Sequence, residues 1–473
     1  MTEPISLMEK IVHYNNIING FVWGTPMLCL LVGTGVYLTV LLGVPQLRYF
    51  LLSLKEVFGS RKAGRTTEDK SISSFAALAT AMAATVGTGN VAGVATALHL
   101  GGPGALFWML VSALFGMCTK FSEVALAVHF RKKDEHGDWR GGTMYILEHG
   151  AGQKWLAILF ALFAFLASFG IGAAVQANST AEGLSLGFGV DPLHSGIVLA
   201  ILVALVIIGG LKSLSTVTTY LVPLMAVFYI IGSIVILATN AQHIPEAIAS
   251  AVRYAFSDPM AMPGAIAGWS VKLAVSKGIA RGVFSNEAGL GSAPMVHATA
   301  YVDHPVRQGL YGIFEVFMDT IVICSMTALV IMTTGTLTGQ AELTGSQLTL
   351  YAFEAGLGTV VGKYVLSVGL ALFAFTTILG WYWYAETAAT YLFGVGFKPV
   401  MKILWIALIL LGAAGGQILG TGAKAFLTSL WDMADTLNGL MAIPNLIGLL
   451  LLSGVLRRVV KDFDNKRRNG ELR

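Results

Sequence analysis

Long apolar runs separated by short polar segments set the rhythm of this chain. A membrane-spanning helix needs about 20 mainly apolar residues. Eleven stretches meet that description: residues 22–45, 74–98, 104–130, 155–180, 194–211, 216–239, 265–299, 309–334, 363–392, 401–417 and 434–456. The pattern predicts an all-α integral membrane protein. The leader MTEPISLMEKIVHYNNIING is long, carries both signs of charge and reaches its apolar run too late for a cleaved signal peptide. Two further segments, Ile244 to Phe256 and Lys424 to Ala434, are amphipathic. They read either as helices lying across an outer vestibule or as plain connectors.

Composition agrees. Only 12% of the residues are charged and 55% are hydrophobic, whereas soluble domains carry roughly 25% charge. So little charge cannot coat a water-soluble protein of this length, which excludes an ordinary cytosolic enzyme and leaves the lipid bilayer as its surroundings. The net charge of +4 is too small to argue for a nucleic-acid partner. Cys29, Cys118 and Cys324 all sit in apolar runs and form neither a disulfide framework nor a CxxC pattern.

The distribution of charge says more than its amount. Arg48, Lys55, Arg61, Lys62, Arg65 and Lys70 crowd the loop at 46–73; Arg131, Lys132, Lys133, Arg140 and Lys154 crowd 131–154; seven more basic residues fill the tail from Arg457 to Arg473. The alternate segments 181–193 and 335–360 have no Lys or Arg, and 240–264 has only Arg253. Because cytoplasmic loops hold the positive charge, eleven spans place the basic loops and tail inside and the amino terminus outside. An even count would strand the basic tail on the wrong side.

Two spans make poor continuous helices. The middle of 74–98 reads Thr85-Val86-Gly87-Thr88-Gly89-Asn90, and the middle of 265–299 reads Phe284-Ser285-Asn286-Glu287-Ala288-Gly289, followed by Gly291 and Pro294. Glycine costs about 1 kcal/mol against alanine inside a helix. Tight small-residue packing accounts for such clusters singly. The pair shares N-x-A-G, in GNVAG and SNEAG, within spans of opposite direction. Interrupted helices at matching places of two inverted halves point to a secondary transporter's binding site. The organisation expected is an outside terminus, peripheral helix and basic loop over 1–73, a first repeat over 74–239, an extracellular connector over 240–264, a second repeat over 265–459 and a basic tail over 460–473. The fifth span of each repeat carries a mid-span proline, Pro223 and Pro444.

A broken helix exposes amides where its second half starts and carbonyls where its first half ends. Amides near Thr88, Gly89 and Asn90 would attract a carboxylate, and carbonyls near Thr85, Val86 and Phe284 would suit a hard cation or an ammonium group. A zwitterionic amino acid matches both. The hydroxyls of Thr376 and Thr377, midway along 363–392, suit Na+, since hard cations take oxygen ligands; they also suit bonds to their own helix. Asp319 either helps to hold the cation or partners Lys277 or Arg281. Lys120 and Glu123, one turn apart, read as a local ion pair; Glu287 bonds local backbone or faces substrate; Glu386 is structural or part of a gate. Gly87 to Ala92 fits G-x-G-x-x-[GA] and Gly183 to Gly187 fits G-x-S-x-G, but neither has the strand–turn–helix setting its chemistry requires. There is no Walker A motif to support ATP-driven transport and no nucleophile–base set to suggest an enzyme.

SSFAALATAMAATVGTGNVAGVATAL, GGPGALFWM, GGTMYIL and RGVFSNEAGLGSAPMVHA together resemble the alanine or glycine:cation symporter family. The resemblance implies a multi-pass importer of the plasma (inner) membrane, coupled to Na+ or H+, with eleven helices in a five-plus-five inverted repeat (LeuT-type fold) broken at 74–98 and 265–299. It implies alanine or glycine as the small neutral amino-acid partner, Na+ as the coupling ion, and no cofactor. TVGTGN and Phe284-Ser285 also resemble the broken helices of neurotransmitter:sodium symporters. That likeness implies that the Thr88 and Gly89 amides take the carboxylate and that the Thr85 and Phe284 carbonyls face the ammonium. It also implies a Na+ site from the Ala83 and Val86 carbonyls with Thr376 and Thr377, and a second cation position at Asn90 and Ser285. The candidate substrate-binding set is Thr85, Gly87, Thr88, Gly89, Asn90, Phe169, Phe284, Ser285, Asn286 and Trp381, with Phe169 and Trp381 as walls; the cation set is Ala83, Val86, Thr376, Thr377 and Asp319. The rival readings are a proton-coupled or glutamine-type carrier and a gated channel. The sequence leaves the oligomeric state open, a monomer among the readings.

Overall fold

Hydrocarbon offers a backbone amide no water, so a chain this apolar must close its hydrogen bonds within helices. The computed structural model describes residues 7–59, 71–257, 269–340, 342–418 and 423–472. Helices dominate them: α1 (Lys10–Leu41), α2 (Ser74–Thr85), α3 (Gly89–Gly101), α4 (Gly104–His129), α5 (Lys154–Ser185), α6 (Pro192–Ile208) and α7 (Gly210–Thr239). They continue as α8 (Ile244–Phe256), α9 (Val271–Asn286), α10 (Pro294–His297), α11 (Pro305–Thr333), α12 (Gly345–Leu357), α13 (Thr359–Phe393), α14 (Lys398–Ile418), α15 (Ala423–Leu451) and α16 (Ser453–Arg468). Among the described residues, eight helices are long and apolar enough to cross a membrane, and α2 with α3 makes a ninth span bent by 51°.

Both predicted interruptions appear. α2 ends at Thr85, and Val86 turns to φ −79°, ψ 93° before α3 begins. α9 ends at Asn286, and Glu287, Gly289 and Gly291 all take positive φ before the short α10. Pro223 and Pro444 lie inside α7 and α15.

Three boundaries differ from the sequence reading. The expected surface helix at Lys424 to Ala434 is the first part of α15 and not a separate element; the side chains of 423–431 lie outside the description. The last span, expected to reach residue 456, breaks at Leu452, where α16 begins. Residues 183–187 lie in the closing turns of α5, which continue past the apolar span to Phe188, and not in a loop. Part of the basic loop (60–70) and the start of the seventh predicted span (265–268) fall outside the described residues. Ile244 to Phe256 is a helix, and it buries Ala247, Ala251, Tyr254 and Ala255 against α4.

The elements around the breaks form a tight set. α4 packs along α9 and α11, and α13 packs against α2, α5 and α7. A parallel two-residue ladder pairs Ile72 and Ser73, just before α2, with Ala300 and Tyr301, just after α10. It ties together the far ends of both broken helices. Among the described residues, the chain widens into π turns at Gly89–Gly93, Ile146–Gly150, Ser168–Ala174 and Phe317–Cys324. Such turns leave carbonyls unpaired and gather at functional positions.

Candidate functional site

The two breaks touch. A Cβ added to Gly89 would lie 3.5 Å from the Phe284 ring and 3.6 Å from Ser285 Cα. One residue type organises both. Asn90 Oδ1 accepts the Gly87 N–H at 2.8 Å, and Asn286 Oδ1 accepts the Ala288 N–H at 2.9 Å. In a continuous helix those N–H groups would go to the carbonyls of Ala83 and Phe284. Each asparagine therefore diverts a donor and leaves a main-chain oxygen to find another partner. The other end of each amide grips the wide turn of α11: Asn90 Nδ2 donates to Asp319 Oδ1 at 2.6 Å, and Asn286 Nδ2 donates to Thr320 Oγ1 at 3.0 Å. The shared N-x-A-G thus marks a shared job.

Beyond Glu287 the backbone of the second break is held by side chains from neighbouring helices. Gly289 donates its N–H to Glu123 Oε1 at 3.0 Å, Asn445 Nδ2 donates to the Gly289 carbonyl at 2.9 Å, and Thr143 Oγ1 donates to the Gly291 carbonyl at 3.0 Å. Glu287 accepts a short hydrogen bond from Ser292 Oγ.

Thr376 and Thr377 part company. On a helix, consecutive side chains point about 100° apart. Thr376 Oγ1 donates within its own helix, to Leu372 O at 3.1 Å and Phe373 O at 3.0 Å, and faces Met225 Sδ at 3.2 Å. The Thr376 hydroxyl is thus occupied within α13 and beside α7. Thr377 faces the break. Its Oγ1 is buried without a hydrogen-bond partner and lies 2.5 Å from where a Gly87 Cβ would stand. A buried, unpartnered hydroxyl costs about 1–3 kcal/mol, so this one calls for a ligand. Ala83 is buried in α2, and Val86 donates its N–H to Met82 O at 2.8 Å. Thr85 Oγ1 bonds back to Ala81 O at 3.3 Å, so only the Thr85 carbonyl is left to face the gap.

Asp319 resolves one open alternative. Its carboxyl, fully buried, accepts from Asn90 Nδ2, from Ser285 Oγ at 3.2 Å and from Thr320 Oγ1 at 2.7 Å. Neither Lys277 nor Arg281 reaches it; the Arg281 guanidinium lies over the Phe284 ring, 5.5 Å from its centroid. Asn90, Ser285 and Asp319 form one polar cluster, with Cys324 Sγ 3.3 Å from both Asn90 Nδ2 and Ser285 Oγ.

Phe169, Phe284 and Trp381 belong to one apolar cluster, with Phe169 and Phe284 half-buried and Trp381 fully buried beside Gly172. Sequence reasoning missed Gln176. Thr88 Oγ1 donates to its Oε1 at 3.2 Å, while its Nε2 donates to the Ile171 carbonyl at 3.1 Å, inside a wide turn. The available signal was a pair of amides, Gln176 and Asn178, at the end of the apolar stretch 155–180. From Thr88 and Ala92 a cleft of about 450 Å³ leads past Ser179, Glu182, Ser346 and Gln347.

The remaining buried charges sit apart from this set, and one pairing differs from expectation. Lys120 does not pair with Glu123. Its Nζ donates to Glu315 Oε1 at 3.2 Å, Glu315 Oε2 meets His297 Nε2 at 3.0 Å, and His297 Nδ1 accepts from Gln308 Nε2 at 2.8 Å. Glu386 receives the Tyr382 hydroxyl at 2.7 Å and lies 4.0 Å from Arg140 and 3.9 Å from Lys398. It therefore ties Tyr382, Arg140 and Lys398 together at the basic end of the molecule. Asp134 completes that end. Burial pushes its carboxyl up, but hydrogen bonds from the Asp138 N–H, Arg140 and the His136 N–H outweigh burial and hold it below the usual carboxylate range.

The Sodium:alanine symporter family matches residues 8–473. Similar to this chain are the Sodium/alanine symporter AgcS of Methanococcus maripaludis, 47% identical over 96% of this chain and 97% of that one, and the Amino-acid carrier protein AlsT of Bacillus subtilis, 37% identical over 97% and 94%. Among solved structures, MhsT in complex with L-phenylalanine superposes with a TM-score of 0.58, covering 84% of this chain and 98% of that one at 14% identity. At that identity the likeness speaks for the fold alone, that of LeuT-type transporters.

Proposed function

The chain belongs to the sodium:alanine symporter family, and from that premise we propose that it imports alanine, with glycine as the smaller alternative, by symport with Na+. Its relatives are transporters and not enzymes, and the protein is a multi-pass membrane protein. The observation that carries the assignment to a site is the Thr377 hydroxyl, buried and unpartnered against Gly87. The Gly87 N–H, already diverted from the Ala83 carbonyl, lies beside it. Carbonyls of Ala83 and Val86 with Thr377 Oγ1 supply the hard oxygen ligands that Na+ takes. The second cation position is the cluster of Asn90, Ser285 and Asp319.

The substrate lies between the breaks. Its carboxylate meets the amides of Thr88 and Gly89 at the start of α3, where the helix dipole favours negative charge. Its ammonium faces the carbonyls of Thr85 and Phe284. Gln176 braces Thr88, and Phe169, Phe284 and Trp381 limit the side chain to a small one. Alternating access moves α2, α3, α9 and α10 around this site. Counting α2 with α3 once, and adding α6 and the interrupted α9–α10, gives eleven spans: the peripheral α1 and ten in two inverted repeats of five. The basic end, where Glu386 meets Arg140, is then cytoplasmic, and the cleft above Thr88 opens outward.

Linkage supplies the test. If Na+ completes the alanine site, each ligand raises the other's affinity by the same factor. Alanine binding to the purified protein should tighten when choline is replaced by Na+ at constant pH and ionic strength. Equal affinity in the two salts refutes Na+ coupling.

A further inference from the structure

A second cleft, of about 410 Å³ with its solvent-filled mouth included, is bounded by Phe284, whose ring also packs beside Gly89. It is lined by Asn19 and Trp23 of α1, Ser276, Lys277, Arg281 and Phe284 of α9, and Asp435 of α15. Lys277, Arg281 and Phe284 follow helical spacing, so they share one face of α9, and all three are half-buried. Among the described residues neither Lys277 nor Arg281 makes an ion pair. Asp435 stands across the cavity, where its Oδ2 accepts from Asn19 Nδ2 at 3.1 Å. One wall therefore carries two cations one turn apart, the facing wall carries one carboxylate, and Phe284 forms part of the lining.

We propose that this cavity is an outer capture site for the zwitterionic amino acid, which binds there before it passes Phe284 into the central site. The substrate carboxylate lies between Lys277 and Arg281, and its ammonium faces Asp435. Small organic zwitterions match this charge arrangement, while a simple anion leaves Asp435 opposed and a simple cation meets two like charges. Arg281 lies over the Phe284 ring. Pairing with a carboxylate would draw the guanidinium off that ring, which links occupancy of the cavity to the residue that separates it from the central site. This inference rests on the outward orientation and the amino-acid substrate proposed above.

Uptake and equilibrium dialysis on the full chain separate the two readings. Wild-type protein in proteoliposomes must first accumulate labelled alanine with Na+; failure there contradicts the proposed function and not this site. Given uptake, dialysis of labelled alanine in saturating Na+ should find two molecules per wild-type chain, and one in Arg281→Gln and in Asp435→Asn. The remaining molecule reports an intact central site and a folded variant. Transport KM should rise about five-fold in both variants, the scale of a solvent-screened charge pair, with the maximal rate within about two-fold of wild type. Arg281→Lys should restore both readouts. One alanine per wild-type chain, or an unchanged KM in both variants, overturns the capture site.

Discussion

Valine in place of Thr377 and valine in place of Thr376 should act in opposite ways, although the residues are neighbours. The Thr377 hydroxyl is buried with no partner. Its removal relieves an unsatisfied group costing about 1–3 kcal/mol, so Thr377→Val should unfold no more easily than wild type in Na+-free buffer. Thr376 Oγ1 spends its proton on the carbonyls of its own helix. Its loss should cost about 0.5–1.5 kcal/mol in any salt. Na+ then divides the pair. A ligand at about 100 times its dissociation constant stabilises the folded state by about 2.7 kcal/mol. Wild type and Thr376→Val should both gain that increment on replacing choline by Na+, and Thr377→Val should gain almost none. Thermal unfolding of the detergent-solubilised proteins, followed by tryptophan fluorescence across a Na+ titration, reads both effects. Equal Na+-induced shifts in Thr377→Val and wild type would refute the assignment of this hydroxyl to the cation.

Other substitutions probe the surrounding network. Asp319→Asn keeps the shape of the polar cluster but removes the carboxyl that Asn90, Ser285 and Thr320 address; Na+-dependent uptake should fall at least ten-fold, with protein yield unchanged. Lys120→Met leaves Glu315 buried beside His297 without its ammonium partner, a change worth about 3–5 kcal/mol. Adding Glu315→Gln should recover most of the lost thermal stability. At the basic end, the depressed carboxyl of Asp134 stabilises the fold above the unfolded carboxylate value, and that stabilisation is lost as pH falls through its lower folded value. Asp134→Asn should therefore be less stable than wild type at pH 7, and the gap should close below about pH 4.

The breaks were legible because glycine clusters and repeated asparagines have no reason to sit at mid-depth in a lipid-facing helix. That made TVGTGN and FSNEAG stand out, and both interruptions fall within those stretches. The role of the asparagines was not legible, since N-x-A-G does not say that the amide oxygen takes a main-chain N–H. Thr376 and Thr377 look alike in sequence, and only the rotation of α13 distinguishes them. Lys120 suggested Glu123 because sequence reading favours neighbours, while its observed partner, Glu315, lies on another helix. Gln176 escaped notice for a related reason: its meaning comes from Thr88, which reaches it across the site. The joining of Lys424 to Ala434 to the last spanning helix was hidden by a polar segment that ordinarily signals a helix end.

Reconstituted transport tests the central claim most directly. Proteoliposomes loaded with choline and diluted into Na+, at equal pH on both sides and with the membrane potential clamped, should concentrate labelled alanine above its external level. They should also exchange it for unlabelled alanine when the Na+ gradient is absent. Accumulation driven by an imposed proton gradient but not by Na+, or equilibration without accumulation or counterflow, would contradict Na+-coupled symport.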